Sequence, residues 1–369
     1  MDTLFLFDKI KYMNNELEVV VNNDNTKVTI EQTINAIKNA GFKNVFVQWY
    51  DNEYPTSQLQ QVELCKELGL NIEFAHLGYQ NINHIWLDDG GYFVDRYKKD
   101  ILDCHNLGID FVVMHACAKW DPPEINEIGL NRFKEIIEYA NTLGVKVAIE
   151  NTKVTKHLEY LLDNIECDNL GVCFDAGHYH CNQKDKWDVK KYKDRIFCVH
   201  LHDNDGENDQ HLLPFDGSVD WDKTFKILDD LNYDGPITME LCYRNEYEKI
   251  SIDDYYTEGY KRGTELMKIR SEIMNNLNDE KLEKVAGGEG NRREKTIKIE
   301  LQFQETSCDK DIKVYVDGQL NRALCMNIDG SVTSKTFTLS GYGTKMVRFK
   351  VNDSVYKEFT VDFESGTYF

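Results

Sequence analysis

The sequence predicts an α/β chain: a (β/α)8 TIM barrel followed by a small antiparallel β-sandwich. Three observations carry this. Short β-branched or aromatic runs alternate with longer amphipathic segments from the N-terminus to about Arg270, and eight such pairs can be counted. Four joints, AIKNAGFKNVFV, CKELGLNIEFAH, CHNLGIDFVVMH and ANTLGVKVAIE, repeat one design in which a helix ends at Gly and a buried strand begins. Beyond Arg293 the period changes to strict alternation with turns at VDGQ and SGYG.

In chain order, the barrel strands are predicted at Leu4–Phe7, Asn44–Gln48, Asn71–His76, Asp110–His115, Lys146–Glu150, Gly171–Asp175, Ile196–Leu201 and Pro236–Leu241. Strict βα alternation leaves an open doubly wound sheet or a closed barrel, and eight units in about 270 residues fit the barrel. The polar residues favour the same choice. Seven runs end in groups able to bind a metal or move a proton: Gln48, His76, His115, Glu150, Asp175 with His178, His200 and Glu240. A closed parallel barrel gathers those ends on one face, whereas an open sheet strings them along an edge.

The segment SIDDYYTEGYKRGTELMKIRSEI is predicted as the closing helix, and Gly287, Gly288 and Gly290 then break the pattern. The predicted domains are therefore a barrel over 1–272, a helical and Gly-rich linker over 273–292, and a β-sandwich over 293–369 built from KTIKIELQF, IKVYVDG, SKTFTLSG, KMVRFKV and YKEFTVDF.

Composition narrows the class. With 41% hydrophobic and 29% charged residues in 369, the chain has material for a large core and a solvated surface. The ten cysteines form no CxxC pair, several fall within strand-like runs, and no disulfides are expected. No apolar run is long enough to span a membrane and Met1–Lys11 lacks the pattern of a signal peptide, so a cytoplasmic location is expected. Net charge is −21; splitting at Gly290 gives 31 Lys/Arg against 53 Asp/Glu before it and 12 against 11 after it. An acidic barrel repels polyanions, which makes nucleic acid a poor partner and a small molecule the better one. Nothing in the residues specifies an oligomeric state.

Carboxylates and imidazoles are costly to bury alone, so a ring of them at strand ends calls for a cation, a network or a substrate. Glu150 in VAIENT, Asp175 in GVCFDAGHYH, His200 in FCVHLHDND and Glu240 in GPITMEL supply three carboxylates and one imidazole from four successive strands. Such an oxygen-rich set suits a divalent ion: Mn, Mg, Co or Zn. His202 lies on the inward face with His200 and is expected to support the ligands rather than join them; His157 and His180 are read as helix or surface residues. Trp49, Tyr50, Tyr79, Trp86 and Trp120 fall in or after βα loops, where an aromatic face stacks on a sugar or simply packs the loop. Lys153, Lys156 and Arg244 are candidate phosphate ligands beside the plainer reading of solvated charges.

These segments resemble the xylose-isomerase-like barrel superfamily of sugar phosphate isomerases and epimerases, inosose-processing enzymes and endonuclease IV. The resemblance covers about residues 1–270 and is most specific in HLHDNDGENDQHLLPFDGSVDW, with EN after strand 5, DxxH after strand 6 and PITMEL at strand 8. It implies that Glu150, Asp175, His200 and Glu240 hold one divalent ion, with Glu150 and Glu240 candidates for the bases and His178 for positioning a substrate hydroxyl; from their places at strand ends and in loops, His76, His115, Trp49, Lys153 and Arg244 are the candidate substrate-binding residues. The reaction so implied is a sugar or polyol isomerisation or epimerisation through an enediolate. Ketose 3-epimerases of the family carry a glutamate and an arginine where this chain has Lys156 and Gly206, a departure that puts that specific activity in doubt. The nine ligands of endonuclease IV are also matched: His76, His115 and Glu150 for one ion, the central four for a second, and His178, Asp209 and His211 for a third. A trinuclear zinc phosphodiesterase is thus the alternative, and a non-catalytic sugar-binding barrel a third reading. The linker MNNLNDEKLEKVAGG resembles a double-glycine leader peptide, beside its simpler reading as a capped polar helix.

Overall fold

The computed structural model describes residues 16–22, 27–49, 58–184 and 186–286, and strand residues between Lys295 and Tyr368. Eight parallel strands form one sheet: β1 (Leu17–Val21), β2 (Asn44–Trp49), β3 (Asn71–Leu77), β4 (Phe111–His115), β5 (Lys146–Glu150), β6 (Leu170–Asp175), β7 (Ile196–His200) and β8 (Ile237–Met239). Their order is β7-β6-β5-β4-β3-β2-β1-β8, so β1 sits between β2 and β8. The sheet's two ends meet at a parallel bridge between Leu201 and Met239. There the Leu201 amide donates to the Thr238 carbonyl at 2.8 Å and the Glu240 amide to the Leu201 carbonyl at 3.1 Å.

The first strand corrects the sequence reading. Leu17–Val21, not Leu4–Phe7, pairs with both β2 and β8, and Leu4–Phe7 lies outside the described residues. LEVVV carries a glutamate within its apolar run; that residue, Glu18, points into the barrel and is buried.

Helices α1 (Ile30–Ala40), α2 (Gln58–Glu67), α3 (Tyr92–Asn106), α4 (Glu127–Thr142), α5 (Lys156–Asn164), the single turn α6 (Ala176–His178), α7 (Trp221–Asp230) and α8 (Ile252–Ala286) connect or follow the strands. Helix α1 begins at a reciprocal cap: the Thr29 side chain accepts from the Gln32 amide, and the Gln32 side chain accepts from the Thr29 amide. The four repeated joints turn at Gly41, Gly69, Gly108 and Gly144, whose φ of 107°, 65°, 79° and 74° is the left-handed geometry that a side chain disfavours.

Strand alternation divides the core in two. Outward residues such as Val19, Val45, Val112, Val147 and Val199 pack under the helices, while Val20, Phe46, Phe74, Val113, Ala148, Cys173 and Cys198 fill the barrel's centre. This inner layer is the apolar floor beneath the strand ends.

Helix α8 continues without a break to Ala286, so the predicted boundary after residue 272 falls inside a helix. The chain divides into a barrel unit ending at Lys281 and a second unit containing Leu282–Phe369. In the second unit, β9 (Lys295–Phe303) pairs antiparallel with β12 (Thr333–Gly341). The others, β10 (Cys308–Val316), β11 (Gln319–Ile328), β13 (Thr344–Val351), β14 (Ser354–Asp362) and β15 (Thr367–Tyr368), form an antiparallel sheet in the order β11-β10-β13-β14-β15. Gly287, Gly288 and Gly290 of the leader-like linker lie outside the described residues. Among the described residues, no helix is long and apolar enough to cross a membrane.

Candidate metal centre

Because the strands are parallel and their sheet closes on itself, their C-terminal ends share one mouth. His76 lies near the end of β3; His115, Glu150, Asp175 and His200 end β4, β5, β6 and β7; and Glu240 follows β8. All six are buried. The His200 ring stacks on Phe46, with centroids 5.0 Å apart and planes 8° apart, so the site rests directly on the apolar floor.

Local sequence explains how each group is aimed. Asp175 caps the α6 turn: its Oδ1 accepts from the His178 amide at 2.6 Å, which leaves Oδ2 directed toward His200. The i,i+3 spacing of DAGH then places the His178 Nδ1 3.6 Å from Asp175 Oδ1 and 3.0 Å from Glu150 Oε1. Asn151 fixes the next strand reciprocally: its Oδ1 accepts from the Asp175 amide at 2.7 Å, and its Nδ2 donates to the Asp175 carbonyl at 2.9 Å. The HLHDND loop is organised by Asp203, whose Oδ1 accepts from the Asn204 and Val219 amides and whose Oδ2 accepts from the Phe215 amide. The same loop holds His211 at a left-handed φ of 50°, a conformation that costs a bulky side chain roughly 1 kcal/mol or more.

Glu150 is the hub. Its Oε2 meets His76 Nε2 at 2.8 Å and His115 Nε2 at 3.0 Å, while Oε1 faces His178 Nδ1 at 3.0 Å and His200 Nδ1 at 3.6 Å. His200 Nδ1 also lies 3.4 Å from Glu240 Oε2. Asp209 bridges His178 Nε2 at 3.1 Å and His211 Nε2 at 3.2 Å. Ligand atoms within 4.8 Å of one another define the groups Glu150–Asp175–His200–Glu240, His76–His115–Glu150, His76–His200–Glu240 and His178–His202–Asp209–His211.

A divalent ion fits the central group. Glu150 Oε1, Asp175 Oδ2 and both ring nitrogens of His200 are buried without a hydrogen-bond partner, and so are His178 Nδ1, His202 Nε2 and Asp209 Oδ1 nearby. Buried polar atoms seldom go unsatisfied, and so many around one point answer to a shared cation. Electrostatics agree. Burial alone raises a carboxyl, but the imidazoles of His115 and His200 outweigh it and hold Glu150 well below the usual carboxylate range. Burial is likewise overruled at Glu240, by His200 and His211. Burial lowers an imidazole, yet Glu240 and Glu150 reverse this at His200, and Asp175 and Asp209 at His178; both are held well above the usual histidine range. At His115 burial prevails and its proton affinity falls.

A cavity of about 440 Å³ opens above these groups, lined by Gln48, His76, Tyr79, His115, Lys119, Glu150, Lys153, His178, Asp209, His211, Glu240 and Arg244, among others. Tyr79 stacks on His115 with centroids 4.3 Å apart.

One reading of the sequence changes here. Trp49, expected to contact substrate, is buried in the outer core because strand alternation turns Gln48, not its neighbour, into the barrel. His202, expected to support the ligands, has its Nε2 3.2 Å from Asp175 Oδ1 and its ring stacked on His211 at 3.9 Å, and it also falls in the flanking group with His178, Asp209 and His211. Trp86 is buried and donates to the Ala116 carbonyl, so it is a packing residue. The positioning role of Asn151 was hidden in the sequence, where only the EN pair hinted at it; that of Asp203 shows solely in the folded loop.

Comparison with known proteins supports the architecture. Among curated relatives, y4fM of Sinorhizobium fredii, itself uncharacterized, is 28% identical over 57% of this chain and 70% of its own length. The inosose isomerase of Bacillus licheniformis is 24% identical over 45% of this chain and 66% of its own. A probable endonuclease 4 of Mesoplasma florum is 27% identical over 41% of this chain and 59% of its own. A solved D-tagatose 3-epimerase-like protein shares the fold at a TM-score of 0.54 and 20% identity, over 70% of this chain and 99% of that one. The family model described as xylose isomerase-like TIM barrel matches residues 34–268, and the chain belongs to that family.

Proposed function

We propose that the protein is a metal-dependent enzyme of the sugar isomerase and epimerase type, acting on a sugar, polyol or related phosphate. The observation that carries this is the central group of three carboxylates and one imidazole, with orphaned buried ligand atoms, at the base of a cavity sized for a small molecule. Glu150, Asp175, His200 and Glu240 are the residues that would hold the ion. A divalent ion here, Mn, Mg, Co or Zn, would polarise a carbonyl and stabilise the negative charge left when a proton leaves the adjacent carbon.

The rest of the chemistry belongs to the chain. Glu150 and Glu240 are held ionised, the state a base needs, and each has a carboxylate oxygen to take or return a carbon-bound proton. His178, tethered by Asp209, orients a substrate hydroxyl. The floor formed by Phe46 and Phe74 keeps water from beneath the reacting atoms. The inosose isomerase among the relatives and the shared fold of the epimerase-like protein are consistent with this reading.

A second reading, phosphodiester hydrolysis at several zinc ions, is favoured by the two flanking groups, His76–His115–Glu150 and His178–His202–Asp209–His211. The net charge of −21 opposes it, since a nucleic acid would meet a repulsive field. Metal analysis of the purified chain, with deuterium incorporation into candidate sugars in heavy water and cleavage of abasic-site DNA, separates the readings. About one Mn, Mg or Co with sugar deuteration supports the first; about three Zn with DNA cleavage supports the second. A folded chain that binds no ion and exchanges no proton removes both and leaves a binding barrel.

A further inference from the structure

The cavity's cations are not used alike. Arg244 is engaged with the β7 loop, its Nη2 near the Asp209 and Gln210 carbonyls at 3.5 and 3.3 Å, behind the ligands that loop carries. Lys119 and Lys153, which follow β4 and β5 and line the same cavity as His115 and Glu150, pair with no carboxylate among the described residues. Other lysines, such as Lys98, Lys99, Lys184, Lys190 and Lys191, are each bound to an Asp or Glu. In a chain of 64 acidic and 43 basic residues, both line the cavity that holds the candidate ligands.

Their setting keeps them there. Lys153 Nζ lies 5.9 Å from the Trp120 ring centroid, a contact that steadies the ammonium without neutralising it. Lys119 sits at φ 70°, where glycine or asparagine would fit with less strain. A long cationic side chain held at a strained position on a cavity rim points to a ligand for its charge.

We propose that the substrate carries a terminal anionic group, a phosphate or a carboxylate, and that Lys119 and Lys153 bind it at the β4–β5 side of the mouth. This rests on the small-molecule reading above and names the chemistry of its substrate. Charge-assisted hydrogen bonds from two ammonium groups would fix that end while the sugar's oxygens face Glu150 and Glu240.

The test uses the whole, ion-loaded chain and calorimetry with D-fructose, D-fructose 6-phosphate and D-gluconate. The wild type should bind at least one anionic probe about tenfold or more tighter than fructose. Lys153→Gln and Lys119→Gly, the latter chosen because glycine relieves the positive φ, should each erase most of that preference with metal content unchanged. Which anion is preferred identifies phosphate or carboxylate as the source. Equal binding of fructose and both anions overturns the proposal. So does an anion preference that survives both substitutions, since the anion would then be held at the ion alone. Failure of every sugar to exchange deuterium, with the lysine-dependent preference intact, removes the isomerase reading and leaves this one standing.

Discussion

Two glutamates buried in the same barrel behave in opposite ways. Glu150, at the C-terminal mouth, is surrounded by His76, His115, His178 and His200 and is held ionised. Glu18, toward the other end of β1, accepts a hydrogen bond from the neutral Thr238 hydroxyl at 2.6 Å, with His200 a lesser, more distant influence. Burial, with Glu73 and Glu16 nearby, pushes its carboxyl up to about 7. The same side chain is thus a charged candidate ligand at one end and, below about pH 7, a protonated packing residue at the other. Neighbours, not burial, decide which end can hold a cation.

The mouth should gain the most from a ligand. Adding Mn or Zn at about a thousand times its dissociation constant should stabilise the chain by roughly 4 kcal/mol, read as a rise in melting temperature that a chelator reverses. No rise with any divalent ion would erase the distinction between the two ends.

Glu18→Gln should act almost as strongly, in the same sense and without metal. Folded Glu18 keeps its proton to about pH 7 while the unfolded chain loses it near the ordinary value of 4.5. The folded state therefore binds more protons between these values, and stability falls as pH rises through them. Above pH 7 the ionised carboxylate costs about 3 kcal/mol, so Glu18→Gln should raise the melting temperature by several degrees at pH 8 and change little near pH 4. Gln keeps an acceptor for Thr238. A Gln variant no more stable at pH 8 than the wild type would show that Glu18 finds a counter-charge.

Asn151→Ala should weaken ion binding by about 10- to 100-fold, because Asp175 loses both bonds that align it. Competition with a chelating dye measures this, and an unchanged affinity would mean that the α6 cap alone places the carboxylate. The smallest effect belongs to the exposed Lys191–Asp163 pair near the start of β7. Lys191→Ala should leave the melting temperature unchanged, since exposed ion pairs contribute little.

Much of this was legible beforehand because the signals are local. Helix-then-glycine joints record a backbone conformation in four residues, and Glu150, Asp175, His200 and Glu240 stand at strand ends that period alone locates. Strand 1 was not, because LEVVV reads as interrupted until Glu18 is known to face inward. The role of Trp49 was missed for a related reason: one residue's difference in register moves a side chain between barrel centre and outer core.

The sequence by itself determined the repeated βα unit and the residue types at the strand ends, since both follow from short-range geometry and periodicity. Only the tertiary structure decided which of those residues meet: that His202 joins His178, Asp209 and His211, that Glu150 faces four imidazoles, and that Glu18 bonds to the Thr238 hydroxyl instead. Closure of the sheet at Leu201 and Met239 converts positions far apart along the chain into neighbours a few ångströms apart, and proton and metal affinity depend on those separations.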